Sequence, residues 1–171
     1  MGLIFTAGVF TSDVFAGNKL NVVTTTLDAA DFVRQIGKDK VNVHSLYNGR
    51  SDFHFHEPRP SEVIRLRKAD ALVVYGLAHD EWLQPLIESA RNRDISFGGK
   101  GYIDMADGAE VLKVPSGRID GRMGHVHPYG SCGYLFSHTN CRNAVKNIYE
   151  GLVRLDPANR DYYEKNKNDY L

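Results

Sequence analysis

Residues 20–37, LNVVTTTLDAADFVRQIG, decide the fold because they place a strand signal directly before a helix signal. The first part, LNVVTTT, is rich in β-branched side chains, which favour a strand. In the second part, DAADFVRQIG, Asp28 is a candidate N-cap and Gly37 a candidate stop, which predicts a helix. The stretch is therefore one β-α step.

The same alternation continues to the end of the chain. Further strand signals lie in KVNVHSLY (40–47), DALVVYG (70–76) and YIDM (102–105), and helix signals in SEVIRLRKA (61–69, capped by Ser61), HDEWLQPLIESAR (79–91, opened by Asp80), RNAVKNIYEGLVRL (142–155) and DPANRDYYEKNKNDYL (156–171). Strands that alternate with helices predict a single α/β lobe whose mainly parallel sheet has about four strands and is flanked by helices. In open sheets of this kind, ligands bind beyond the carboxyl ends of the strands.

Composition narrows the classes of function. The chain has 171 residues, of which 42% are hydrophobic, so one domain with a substantial core is expected. Lys plus Arg and Asp plus Glu each number 21, so no net charge attracts nucleic acid or an anionic membrane. Cys132 and Cys141 are too few for a disulfide scaffold, and a single bridge between them stays open for an oxidising compartment.

The N-terminus resembles the end of a secretory signal peptide. The apolar run GLIFTAGVF (2–10) is followed by SDVFAG (12–17), in which Val14 and Ala16 occupy the small-residue positions before a cut ahead of Gly17. We therefore expect residues 1–16 to be a signal-peptide remnant and the protein to be periplasmic or extracellular. No Lys or Arg precedes the apolar run, and a short buried strand is the alternative.

Two histidine-bearing loops follow predicted strands. SDFHFHEPRP (51–60) holds His54 and His56, and the Gly-rich stretch 108–133 holds His125 and His127. Because both loops leave the carboxyl rim of the sheet, they can meet at one site. Neutral imidazole suits zinc, and a carboxylate from Asp52 or Glu57 could fix a ring tautomer. His44 and His79 are predicted to be structural.

The order of these segments resembles the metal-binding solute receptors of zinc and manganese ABC importers. The motifs that carry the resemblance are LNVVTTTLDAADFVRQIG, the Asp-x-His loop ending in Glu-Pro, SEVIRLRKADALVVYG, EWLQPLI, MADGAEVLKVP and KNIYEGLVRLDPANRDYYEKN. In that family two α/β lobes are joined by one long helix, and the metal lies between them. The resemblance implies that residues 17–155 are the N-terminal metal-binding lobe and that 156–171 begin the linking helix, with the second lobe absent.

The resemblance also implies a function and a ligand set. Asp52-Phe53-His54 matches two of three positions of the family's Asp-Pro-His motif, which makes His54 the leading candidate metal ligand. The family's second histidine falls on Gly133, a departure from the pattern. His125 and His127 fall where the family has a histidine loop that helps to capture metal. The expected protein is a monomeric carrier of zinc, or less readily manganese, that serves a membrane permease and is not an enzyme.

Other classes of function remain to be weighed. A metal-binding adhesion or interaction domain would use the same lobe without transport, and sequence alone does not separate the two. A zinc-dependent hydrolase would need Glu57 as base and further ligands, and the chain has no His-Glu-x-x-His or Gly-x-Ser-x-Gly motif. A structural zinc site fits no finger spacing closely; its members would be His125, His127, Cys132, His138 and Cys141.

Overall fold

Four parallel strands form one sheet in the order β2-β1-β3-β4. The computed structural model describes residues 18–50, 53–112, 114–115 and 128–171, with the backbone alone at residue 55. The predicted signal remnant, Asp52, His125 and His127 lie outside these ranges. The strands are β1 (Leu20–Thr24), β2 (Val41–Ser45), β3 (Ala71–Val74) and β4 (Tyr102–Asp104).

Helices follow each strand and cover both faces of the sheet. They are α1 (Leu27–Gly37), α2 (Pro60–Arg67), α3 (Gln84–Ala90), α4 (His138–Leu155) and α5 (Arg160–Tyr170). The predicted fold class, a single α/β lobe with a parallel sheet of four strands, is confirmed. No helix in the described ranges has the length and apolar character needed to cross a membrane.

The two faces of the sheet bury two separate apolar layers, because neighbouring side chains on a strand point to opposite sides. Val22 and Val73 join the layer under α1, α4 and α5. Val23 and Leu72 join the layer under α2 and α3. Strand β3 is buried at all four positions, as its apolar sequence predicts.

Four predicted helix starts were misplaced, and that of α5 moves to Arg160 because Pro157–Asn159 forms a 3₁₀ turn. The N-cap of α1 is Thr26, whose hydroxyl accepts the Ala29 N–H at 3.2 Å, and Asp28 lies inside the first turn. Helix α2 begins at Pro60 rather than after Ser61, since proline fits the first helical position without losing a hydrogen bond. Helix α3 begins only at Gln84, after a 3₁₀ turn at Glu81–Leu83.

The last helix packs against the lobe. Tyr163 of α5 is fully buried in the layer that includes α1 and α4. The Asn166 side-chain amide donates to the backbone oxygen of Ile36 at 2.9 Å, beside the end of α1. These contacts make α5 part of the folded unit.

Candidate metal site

A cavity of about 560 Å³ opens at the carboxyl edge of the sheet. Its walls come from the start of α1, the loop after β2, the turn after β3 and the 3₁₀ segment Cys132–Phe136. The side chains that can ligate a metal there are His54, His79, Cys132, Cys141 and Asp28. The cavity lies at the edge of the sheet where the parallel-sheet rule predicts a ligand site.

Two imidazoles face each other in this cavity. His54 Nε2 lies 3.3 Å from His79 Nδ1, and the ring centroids are 5.5 Å apart. His54 stands on a 3₁₀ turn, Phe53–Phe55, and is partly buried, whereas His79 is only 2% exposed. The leading sequence candidate thus has a buried histidine partner from a different loop.

The position of His79 is set by an unusual turn. Gly76, Leu77 and Ala78 have φ of 89°, 55° and 57°, three left-handed residues in succession. Gly76 is required because a Cβ at this position would clash with the Asp104 carboxylate. Leu77 and Ala78 pay the left-handed cost, roughly 1–2 kcal/mol each. The turn closes with the His79 N–H donating to the Gly76 carbonyl at 3.1 Å.

Asp80 anchors the same turn to the sheet. Its carboxylate accepts the backbone N–H of Tyr75 at 2.8 Å, and the Thr25 hydroxyl accepts the same N–H at 3.0 Å. Burial raises the pKa of Asp80, while the hydrogen bonds from Thr25 and Tyr75 act in the opposite direction. The aspartate predicted to open a helix instead fixes the chain on both sides of the turn.

Two tyrosines hold the 3₁₀ segment Cys132–Phe136 in place beside the cavity. The Tyr134 hydroxyl donates to the Tyr75 carbonyl at 2.8 Å, and the Tyr75 hydroxyl donates to the Cys132 carbonyl. Burial raises the pKa of both phenols well above 10, so both remain hydrogen-bond donors at neutral pH. The Cys132–Phe136 segment is thereby tied to the end of β3.

Gly133, the position to which the resemblance assigns the family's second histidine, lines the cavity. Its φ of −76° suits any residue. A Cβ there would approach only the Phe136 ring closely, at 3.0 and 3.2 Å. Because Phe136 is 97% exposed, its ring can move aside. The backbone would accept a larger side chain at this point.

His56 has a buried partner of its own. Its Nε2 lies 3.1 Å from both carboxylate oxygens of Glu62, and the two side chains are 9% and 7% exposed. The His56 ring packs on Trp82 with centroids 4.3 Å apart. Glu62 also accepts the Arg59 N–H at 3.0 Å. The carboxylate beside this histidine is thus Glu62 of α2, and Glu57 is exposed.

Three further predicted ligand candidates lie within the described residues, namely Cys132, Cys141 and His138. Cys132 and Cys141 are free thiols, and the Cys141 thiol donates to the Leu135 carbonyl at 2.8 Å. His138 is exposed at the first position of α4. Within the described residues, no group of three or more His, Cys, Asp or Glu side chains is arranged to hold a metal ion. His54 and His79 are therefore a pair.

His79 lies in this cavity, which the sequence did not predict. It is predicted to be structural because it lies at the start of the predicted helix 79–91. Its position in the chain could have indicated its place in the cavity. His79 follows β3, which pairs with β1, and so lies at the same carboxyl edge of the sheet as the His54 loop.

The chain is similar to several known proteins. The family model for ZnuA, the periplasmic component A of zinc-uptake complexes, matches residues 22–171. The manganese ABC transporter substrate-binding lipoprotein PsaA of Streptococcus anginosus is 29% identical over 165 residues, covering 92% of this chain and 49% of PsaA. The metal ABC transporter substrate-binding lipoprotein ScbA of Streptococcus cristatus is 28% identical over 178 residues, covering 100% of this chain and 53% of ScbA.

Solved structures of similar proteins have the same fold over most of this chain. A crystal structure of ZnuA superposes with a TM-score of 0.71 at 26% identity and covers 90% of this chain and 54% of its own. The metal-dependent lipoprotein YcdH of Bacillus subtilis superposes with a TM-score of 0.65 at 27% identity, covering 89% and 50%. The chain spans about half the length of the curated relatives it matches.

Proposed function

Because this chain belongs to the family of ZnuA, the periplasmic component A of zinc-uptake complexes, we propose that it captures zinc, and manganese less tightly, for an ABC importer. The family consists of metal carriers rather than enzymes, and the curated relatives are named as substrate-binding lipoproteins. The partner of the loaded protein would be a membrane permease, which it would meet as a periplasmic or extracellular monomer. Residues 17–155 would form the metal-binding lobe, and 156–171 the start of the linking helix.

The observation that carries this proposal is the place of His54. It lies in a cavity at the carboxyl edge of the sheet, on the loop whose Asp-x-His pattern the resemblance singled out. A partly buried imidazole with a ring nitrogen facing a cavity is a suitable ligand for a transported divalent ion.

The donor types favour zinc over manganese. Imidazole nitrogen and thiol sulfur suit zinc, whereas manganese prefers carboxylate and other oxygen ligands. The cavity is lined by two imidazoles and two thiols, with Asp28 as its one carboxylate among the described lining residues. We therefore expect zinc to bind more tightly than manganese at this lobe.

Calorimetric titration of the 171-residue chain with zinc tests the proposal. His54→Ala should weaken zinc binding by about tenfold or more, which corresponds to roughly 1.4 kcal/mol. His44→Ala is the matched control, because His44 lies on β2 and lines a different hollow. Equal zinc affinity for the wild type and His54→Ala would contradict the proposal, and tighter manganese than zinc binding would contradict the metal preference.

A further inference from the structure

We propose that His79 is a second metal-binding side chain of this lobe, so that His54 Nε2 and His79 Nδ1 chelate one ion together. The inference rests on the proposed function, since it adds a ligand to the site that His54 defines. It concerns a residue outside the motifs of the family resemblance.

The spacing of the two nitrogens fits a shared ion. Zinc binds imidazole nitrogen at about 2.0–2.1 Å in tetrahedral geometry, which places two ligand nitrogens about 3.3–3.4 Å apart. The distance from His54 Nε2 to His79 Nδ1 is 3.3 Å. It is longer than the usual hydrogen bond of an N–H donor, about 2.9–3.0 Å. The rings therefore stand at the separation of two ligands on one zinc ion.

The site is organised before the ion arrives. His79 is buried, and three left-handed residues, Gly76 to Ala78, fix the backbone that carries it. Strained backbone of this kind persists where the surrounding structure determines it, and it clusters at functional sites. The Asp80 carboxylate holds the far side of the turn through the Tyr75 N–H. A ligand fixed in this way loses little conformational entropy when metal binds.

Proton accounting is simple for this pair. Two neutral imidazoles carry one N–H each, and metal needs an unprotonated nitrogen from both rings. The hydrogen on a facing nitrogen moves to the outer nitrogen of its own ring, so His54 then carries its proton on Nδ1 and His79 on Nε2. No net proton is released when both rings start neutral. A tetrahedral ion held by two nitrogens keeps two positions for other ligands.

His79→Asn separates ligation from packing. The asparagine amide occupies roughly the place of Nδ1 and can still hydrogen-bond to His54, but an amide is a poor zinc ligand. We expect zinc affinity to fall about tenfold or more, with an unchanged circular dichroism spectrum. His44→Asn is the matched control and should bind zinc like the wild type.

Nitrogen NMR of the histidine rings gives a second readout that needs no variant of His79. On addition of zinc to the wild-type chain, His54 Nε2 and His79 Nδ1 should both move to the shift range of metal-bound nitrogen. If His54 Nε2 moves and His79 Nδ1 does not, the inference is wrong and the proposed function stands. If neither nitrogen moves, the proposed function fails as well. Should His79→Asn not fold, the wild-type spectrum alone decides.

Discussion

His56 Nε2 lies 3.1 Å from each carboxylate oxygen of Glu62, and both side chains are buried. This pair joins the loop that carries His54 to the first turn of α2. A buried charged hydrogen-bond acceptor is costly to remove, because its partner loses its hydrogen bond without regaining water. The pair therefore stabilises the loop.

Glu62→Gln should lower the free energy of unfolding by about 1–3 kcal/mol, because the amide offers one acceptor where the carboxylate offers two. Urea denaturation measures the change. Glu57→Gln, on the exposed part of the same loop, is the control and should change stability by less than about 0.5 kcal/mol. An equal loss in both variants would show that the His56 pair contributes nothing specific.

Gly133→His should tighten zinc binding, because the new imidazole joins the cavity that holds His54. The backbone at Gly133 allows a side chain, and the exposed Phe136 ring can give way. Calorimetry with zinc measures the effect, and Gly133→Ala controls for the loss of glycine. If Gly133→His changes little while His127→Ala weakens binding, the 108–133 stretch supplies the ligand instead.

Asn140→Ala should destabilise the protein by about 2–3 kcal/mol, since it removes three hydrogen bonds that a buried side chain makes to the backbone. The Asn140 side chain accepts the Glu110 N–H at 2.9 Å and donates to the Glu110 and Tyr134 carbonyls at 2.8 and 3.0 Å. Thermal or urea unfolding measures the loss. Asn168→Ala, on an exposed position of α5, should be neutral, and a similar effect there would contradict the assignment.

The stability of the Asp104→Asn variant, compared with that of the wild type at the same pH, should increase as pH rises. Burial raises the pKa of Asp104 above 3.8, against the hydrogen bond from the Ala106 N–H. The folded state therefore favours the protonated form, and its advantage is present below the unfolded pKa and lost as pH rises through the folded pKa. Asparagine keeps an oxygen for the Ala106 N–H without a charge.

Paired urea titrations at about pH 3 and pH 7, on either side of the unfolded pKa of about 3.9, measure this difference. The variant should gain on the wild type between the two values. A constant difference between the proteins at both pH values would mean that ionisation of Asp104 does not affect folding.

The sheet was predictable because its signals are repeated along the chain. β-Branched runs such as LNVVTTT and the apolar DALVVYG identify strands locally, and their alternation with helices leaves a parallel sheet as the simple solution. Helix starts were less predictable. Thr and Asp are both favoured as N-cap residues, so either Thr26 or Asp28 could begin α1. The choice depends on where β1 ends, which the local sequence does not specify.

The candidate site was half predictable. His54 stands in a motif, whereas His79 depends on the left-handed conformation of Leu77 and Ala78, which neither residue favours. Of the three left-handed residues, only Gly76 is of a type that indicates a turn from sequence. The pairing of His56 with Glu62 was missed because the two residues meet only after α2 folds back beside its own preceding loop.

The burial of Tyr163 sets the time at which this domain can be completed during synthesis. Tyr163 fills the same apolar layer as Ile36 and Ile148, so part of the apolar faces of α1 and α4 stays uncovered until Tyr163 has emerged from the ribosome. Partly made chains with exposed apolar surface are the species that chaperones bind. The cover of α1 is therefore complete only after β2, β3, β4 and α4 have been translated, and until then part of its apolar face is open to other proteins.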